Sequence, residues 1–386
     1  MSALLLLLAF LAGVMISVLV TSLVVRLRPE REEGGPARTL ADRAIAEVVA
    51  EDHPAAAAAL RQAVEGSPGE HGLLLLLADE QSQAGDAART ARTLEVLLAR
   101  RDLPDRTRAA ALLLRARVLE RAGDLDAAIV ACEEAEAAAR EWAAPLVALE
   151  QLQTRLGRMR EAVATAGRLA AIDRERGRVI SARRRVLLAR ELLADGLPRE
   201  AAREAERALS EHRPLPAAEM ALGDALYQSR DPKRAREAWL RAALEAPALA
   251  PHVVDRLEEL EGPAGGREAA RQFAHEALSR DPEGPAAWRL AGWLADDALR
   301  SGQAAEARGF VERIEQLAPR SSAVPRLRGR LALLEDGTTS RALVALRTHW
   351  EGVGGWGDPW RCQRCGFSVA DFEWRCPSCR AWESLA

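Results

Sequence analysis

Nine helix-breaking turns recur along most of this chain at nearly even intervals. They fall at Glu51, Gly85, Gly123, Gly157, Gly196, Arg230, Gly265, Gly302 and Gly337, between 34 and 39 residues apart. Between them the chain reads as short amphipathic helices, with no strand-like alternation. Five residues past each turn stands Ala56, Thr90, Ala128, Ala162, Ala201, Ala235, Ala270, Ala307 or Ala342. A small side chain there lets the second helix of a pair approach the first closely, since interaxial distance follows side-chain size at the contact. Pro68, Pro247, Pro282 and Pro319 follow four of the turns where a second helix should stop.

A fixed period of this length marks a repeat architecture, and it is the tetratricopeptide (TPR) period with small insertions. The expected fold is all-α. About nine TPR repeats over residues 37–351 would stack as a right-handed superhelical solenoid, with a concave groove that takes proteins or extended peptides. The clearest copy runs from Ala218 to Pro247, with Leu222, Gly223, Leu226, Ala235, Trp239 and Ala242 at the packing positions between its two helices. A second runs from Leu112 to Glu136, and Cys132 within it reads as a buried small hydrophobe. The composition agrees with a helical protein: 29% of residues are charged and 4% aromatic. The net charge of -3 supplies no bulk field towards nucleic acid. Arginines interleaved with glutamates, as from Arg199 to Arg207, read as a solvated helical surface.

The C-terminal end differs in kind. Five of the nine tryptophans (Trp350, Trp356, Trp360, Trp374, Trp382) lie in the last 37 residues, which include a Gly-rich joint at residues 352–359. Residues 360–386 carry two Cys-x-x-Cys pairs, Cys362 with Cys365 and Cys376 with Cys379. Two such turns supply four thiolates, the ligand set of a closed tetrahedral zinc site. Gly366 follows the first pair, where the backbone must fold over the sulfurs, and Pro377 stiffens the second. The segment is too small to build a core, so a metal would supply most of its folding energy. Disulfides or a redox pair are the competing readings. A redox CxxC wants a βαβ setting, which is missing from the sequence pattern. The array's last helices, near Ala342 to Trp350, are the neighbour this tail is expected to dock on. His349 is expected to pack between helices, not to act as a fifth ligand.

The N-terminus decides the redox question. Ala3 to Val25 is an uninterrupted apolar-to-neutral run. At 1.5 Å per residue it spans about 34 Å, slightly more than a bilayer's hydrocarbon core of roughly 30 Å. Nothing basic precedes it, and it is too long for a cleaved signal peptide. Residues 1–25 are therefore expected to be a retained transmembrane helix, and residues 26–36, charged and Gly/Pro-containing, a flexible linker. Arg26, Arg28 and Arg31 follow the run, so that end is expected to be cytoplasmic. The cytoplasm is reducing, which favours thiolates on a metal over disulfides.

Enzymatic signatures are missing from the sequence. There is no phosphate-binding GxxxxGK[ST], no HExxH and no GxSxG, and Lys233 is the only lysine. His53, His71, His212, His252, His275 and His349 are scattered without ligand spacing. Four thiolates would leave no open coordination position, so the expected protein is not an enzyme.

One membrane helix, about nine TPR units and the tail RCQRCGFSVADFEWRCPSCRAWES together resemble the lipopolysaccharide assembly protein B family. Gly366, Phe367, Trp374, Pro377 and Trp382 match the family's flanking pattern, and Leu103 to Ile129 resembles its third repeat. The resemblance implies that Cys362, Cys365, Cys376 and Cys379 are metal ligands of a rubredoxin-type domain that folds back against the array. It also implies a bacterial inner-membrane protein facing the cytoplasm, which brings the committed deacetylase of lipid A synthesis to a membrane-bound AAA+ protease. The first repeat departs from the family's tyrosine-rich opening, and Tyr227 is the only tyrosine. The ten-residue gap between the cysteine pairs favours zinc, although sulfur geometry also admits iron. Two other readings stay open: a scaffold for envelope assembly with another client, and a nucleic-acid-binding ribbon suggested by Arg361, Arg364, Arg375 and Arg380. No nucleic acid is expected on balance, and the oligomeric state is open.

Overall fold

The computed structural model describes residues 45–260, 265–336, 359–369, 373–382 and 384–385. The expected membrane helix, the linker at 26–36, the turn at Gly337, Ala342, His349 and residues 352–358 lie outside the described residues. Among those described, no helix is long and apolar enough to cross a membrane.

The chain forms two compact units that divide between Arg140 and Glu141. In the first, α1 (His53–Gly66), α2 (His71–Gln83), α3 (Ala87–Leu98), α4 (Asp105–Ala122) and α5 (Leu125–Ala138) pack in consecutive antiparallel pairs. The second holds α6 (Ala143–Arg155), α7 (Met159–Ile172), α8 (Arg174–Ala194), α9 (Pro198–Glu211), α10 (Pro216–Gln228) and α11 (Pro232–Glu245). It continues through a 3-10 turn at Pro247–Leu249 to α12 (Ala250–Leu260), α13 (Gly265–Arg280), α14 (Ala287–Arg300), α15 (Ala304–Leu317) and α16 (Ala323–Asp336).

The expected turns are where the helices break. Glu51, Gly85, Gly123, Gly157, Gly196, Arg230 and Gly302 all have positive φ, between 57° and 86°. That conformation closes the preceding helix with carbonyl-capping bonds, such as Asp86 N to Gln81 O at 2.9 Å. The next residue is often an aspartate that caps the following helix. Asp52, Asp86, Asp124 and Asp231 each accept a backbone N–H three residues on. Two of the turn positions are not glycine, so Glu51 and Arg230 carry the left-handed cost of a β-carbon.

The small-residue positions are buried in the helix pairs. Ala56, Thr90, Ala128, Ala162, Ala201, Ala235, Ala270 and Ala307 are all fully inaccessible. In the clearest repeat a β-carbon on Gly223 would meet the Trp239 ring at 2.3 Å, so α10 and α11 touch through glycine against indole. Trp239 Nε1 donates to Asp224 Oδ1 at 2.9 Å, and Arg256 holds the same carboxylate with two bonds of 2.6 and 2.9 Å. Cys132 is fully buried, and burial pushes its thiol up to about 12, as expected of a packed hydrophobe.

The arginine pattern is only partly the solvated surface expected from sequence. Several arginines instead join successive repeats. In the second unit Glu150 of α6 pairs with Arg184 of α8, Asp224 of α10 with Arg256 of α12, and Asp296 of α14 with Arg330 of α16. The partners stand 34, 32 and 34 residues apart, one repeat each time. These first helices contact one another from repeat to repeat as well as their own second helices, so they line the inner side of the unit.

Candidate metal centre

Residues 360–365 and 374–379 spell the same hexamer twice, Trp-Arg-Cys-x-x-Cys. Each folds as a knuckle with the same backbone bonds. Gly366 N donates to Cys362 O, and Cys362 N to Phe367 O, both at 2.8 Å. In the second knuckle Arg380 N donates to Cys376 O at 2.8 Å, and Cys376 N to Ala381 O at 2.9 Å. Each fold-over needs positive φ at the residue after its second cysteine. Gly366 supplies it at 76°, and Arg380 at 58°. The sequence pointed to Gly366 and Pro377; Arg380 was the missed counterpart of Gly366. A short antiparallel pair, β1 (Trp360–Arg361) with β2 (Ser368–Val369), supports the first knuckle. Single bridges from Cys362 to Leu385 and from Arg375 to Trp382 tie in the end of the chain.

The four sulfurs converge: all lie within 4.8 Å of one another, the pair Cys362–Cys379 at 3.5 Å and Cys365–Cys376 at 3.7 Å. Tetrahedral Zn–S bonds of 2.3 Å require sulfurs about 3.8 Å apart. The cluster therefore fits a four-coordinate metal ion. Among the described residues it is the one group of His, Cys, Asp or Glu side chains so placed. Cys362 and Cys376 are buried, while Cys365 reaches the surface. The Ser384 hydroxyl, 3.2 Å away, is the main reason the Cys362 thiol falls to about 6; burial opposes it and amides of the same knuckle assist. The Phe367 amide lowers Cys365. The Ala381 amide would lower Cys379 too, but burial and the other three sulfurs push it up to about 12. Crowded thiols suppress each other's ionisation, and a cation removes that penalty.

The tail docks on the inner helices of the second unit. Sequence reasoning placed its neighbour near Ala342 to Trp350, which lie outside the described residues. The described contacts instead run to α8, α10, α12 and α14. Trp360 is pinned between two side chains: the Arg289 guanidinium lies 3.7 Å from its ring centroid, and the His252 ring 4.7 Å away. Trp374 joins the main core of the unit, and Trp382 packs against that core beneath Arg183. Arg190 meets Glu373 at 3.5 Å. Burial, helped by Arg256 and Arg289, lowers His252 to about 3, so it stacks as a neutral ring. Its place in the interface had no local signal in the sequence.

The fold and the site define a class: a helical-repeat protein whose inner face carries a four-cysteine ribbon. Residues 360–386 match the rubredoxin metal binding domain, and residues 186–251 match the tetratricopeptide repeat. These two modules, a TPR array and a C-terminal rubredoxin-type ribbon, are the ones expected from the resemblance to the lipopolysaccharide assembly protein B family. Neither match is to a catalytic family. No curated protein matches the chain. Similar solved structures include a tetratricopeptide repeat protein from Parabacteroides merdae, 14% identical over 77% of this chain and 99% of that one, TM-score 0.38. Another is the C-terminal part of a TPR repeat-containing protein from Cytophaga hutchinsonii, 13% identical over 66% and 98%, TM-score 0.43. A third is YrrB, titled a TPR protein with an unusual peptide-binding site, 17% identical over 50% and 94%, TM-score 0.36. Likenesses this distant carry no argument about function.

Proposed function

We propose that this chain is a membrane-tethered adaptor. In this reading residues 3–25 hold it in a bacterial inner membrane, the repeats lie in the cytoplasm and bind client proteins, and the tail is folded by zinc. Cys362, Cys365, Cys376 and Cys379 are the ligands. The metal, held by four thiolates with no open position, supplies folding energy and not catalysis. The clients are those of the family the sequence resembles: the committed deacetylase of lipid A synthesis, presented to a membrane AAA+ protease so that lipopolysaccharide output is limited.

The observation that carries the reading is the pairing of a TPR array with a rubredoxin-type tail seated on its inner helices. An adaptor of this build works by effective concentration. It converts the meeting of protease and substrate into an intramolecular event at a surface, with no chemistry of its own. The sequence motivates the tether through the apolar run at Ala3 to Val25 and the arginines after it.

The test is a deletion strain complemented with wild type or with a variant lacking residues 1–25. Deletion is expected to raise deacetylase abundance and lipopolysaccharide content, with only the tethered form restoring both. Affinity purification from solubilised membranes should recover the protease and the deacetylase. Unchanged deacetylase and lipopolysaccharide levels in the deletion strain would overturn the assignment.

A further inference from the structure

Not all of the tail's aromatic side chains serve its docking. Trp360, Trp374 and Trp382 are seated on the second unit. Phe367 is 46% exposed, and among the described residues it is the one exposed aromatic side chain. Its backbone, by contrast, is held twice. The carbonyl accepts from Cys362 N at 2.8 Å, and the N–H donates to the Cys365 sulfur. Gly366, at φ 76°, sets the course of the chain just before it. A single apolar side chain on a surface is ordinary. One pinned this closely to the metal centre is preorganised, so a partner that takes up the ring loses little in ordering it.

The short sheet sorts the neighbours of Phe367. Trp360 pairs with Val369, and Arg361 with Ser368. Side chains alternate across a strand, so burying Trp360 leaves Arg361 and Ser368 on the opposite, exposed face. Arg364, within the knuckle, is exposed too. Neither arginine side chain pairs with a described residue. No acidic residue occurs from Pro359 to Val369. Elsewhere exposed arginines often have one a helical turn away, as Arg89 has Asp86, Arg207 has Glu204 and Arg234 has Asp231.

The exposed face of the first knuckle thus presents one aromatic ring and two unpaired guanidinium groups on a rigid hairpin. Aromatic and arginine side chains are the ones that carry most binding energy at protein interfaces. Nucleic acids and anionic membranes are poorer matches. Lipid recognition uses clusters of roughly four to eight basic residues. Here two arginines stand on a chain of net charge -3.

We propose that this face, Phe367 with Arg361 and Arg364, docks a protein partner that offers an apolar pocket rimmed by carboxylates. The tail is then two-sided: its tryptophans fasten it to the array, and its first knuckle holds out a metal-braced contact. This surface is separate from the inner helices, so its failure would leave the reading of the repeats standing.

The test uses full-length, zinc-loaded protein in detergent micelles and a display library of a small helical scaffold with a randomised face. Clones enriched on the wild type are expected to carry acidic residues around an apolar one. They should bind Phe367→Ser about tenfold or more weakly, the loss of an interface anchor. Zinc content should be unchanged in that variant, because the metal site uses only the backbone of Phe367. Selection on the double variant Arg361→Glu, Arg364→Glu should enrich basic clones instead, a gain that misfolding cannot mimic. If Phe367→Ser loses zinc, this charge reversal alone decides. Enriched clones indifferent to the charge reversal would overturn the inference. So would binding of an oligo-dT strand or of phosphatidylglycerol vesicles that the charge reversal abolishes, with no acidic clone enriched.

Discussion

The repeats and the tail are stabilised in opposite ways. In the helical units, holding power is spread thin. Most of the described repeats offer one left-handed turn, one fully buried small residue and a few buried hydrophobic side chains. Such an array is close to a sum of local terms, so no single side chain decides whether it folds. The tail concentrates everything on four sulfurs. Its strands are two residues long, and its own core cluster is Trp360, Cys362, Cys376 and Leu385. Two of those four are metal-ligand candidates. Redundancy makes the array robust, while concentration makes the tail a module that can be lost whole.

The largest effect should therefore come from one sulfur. Cys376→Ser is expected to abolish metal binding, seen as a fall from about one ion per chain to none by elemental analysis. Structural zinc contributes about 10 kcal/mol or more in small domains, so the tail should unfold while far-UV circular dichroism still reports the helices. Retained metal would break the contrast.

The array's counterpart is Gly223→Ala. Trp239 cannot retreat easily, because Asp224 and Arg256 fix its indole nitrogen. A cost of about 2 kcal/mol is expected from overpacking, read in a denaturant titration, with metal content unchanged. A smaller effect is expected where the two regions meet. Arg289→Ala removes the guanidinium from Trp360 and should weaken docking by about 1 kcal/mol, the scale of a cation–π contact. Limited proteolysis should then release residues 360–386 sooner. The smallest effect is a gain. Arg230→Gly removes a left-handed β-carbon that costs about 1 kcal/mol, partly offset by the freer unfolded chain. A net stabilisation of about 0.5 kcal/mol should appear in the denaturant midpoint.

The same contrast explains what the sequence could reveal. Turns and small residues repeat, so the positions of Gly85, Gly123, Gly157 and Gly302 were legible even where the side chains between them carried little periodicity. Non-glycine turns at Glu51 and Arg230 were found only because the period demanded them. The four cysteines were legible by spacing alone. The interface was not. Trp360 meets His252 and Arg289, far away in sequence, and nothing local distinguishes those two from the chain's other histidines and arginines. The ladder of Glu150–Arg184, Asp224–Arg256 and Asp296–Arg330 was hidden similarly: in an arginine-rich chain, charges one repeat apart look like ordinary surface.

Hydrogen exchange on the full chain, before and after zinc removal by a chelator, tests the central claim most directly: that the tail is a metal-folded module seated on the inner helices. Faster exchange is predicted in residues 360–379 and, together with it, in α8, α12 and α14, whose faces the tail covers. Residues 53–138 should exchange at the same rate with and without metal. If zinc removal leaves α8, α12 and α14 unchanged while the tail opens, the tail is not seated there and the account is wrong.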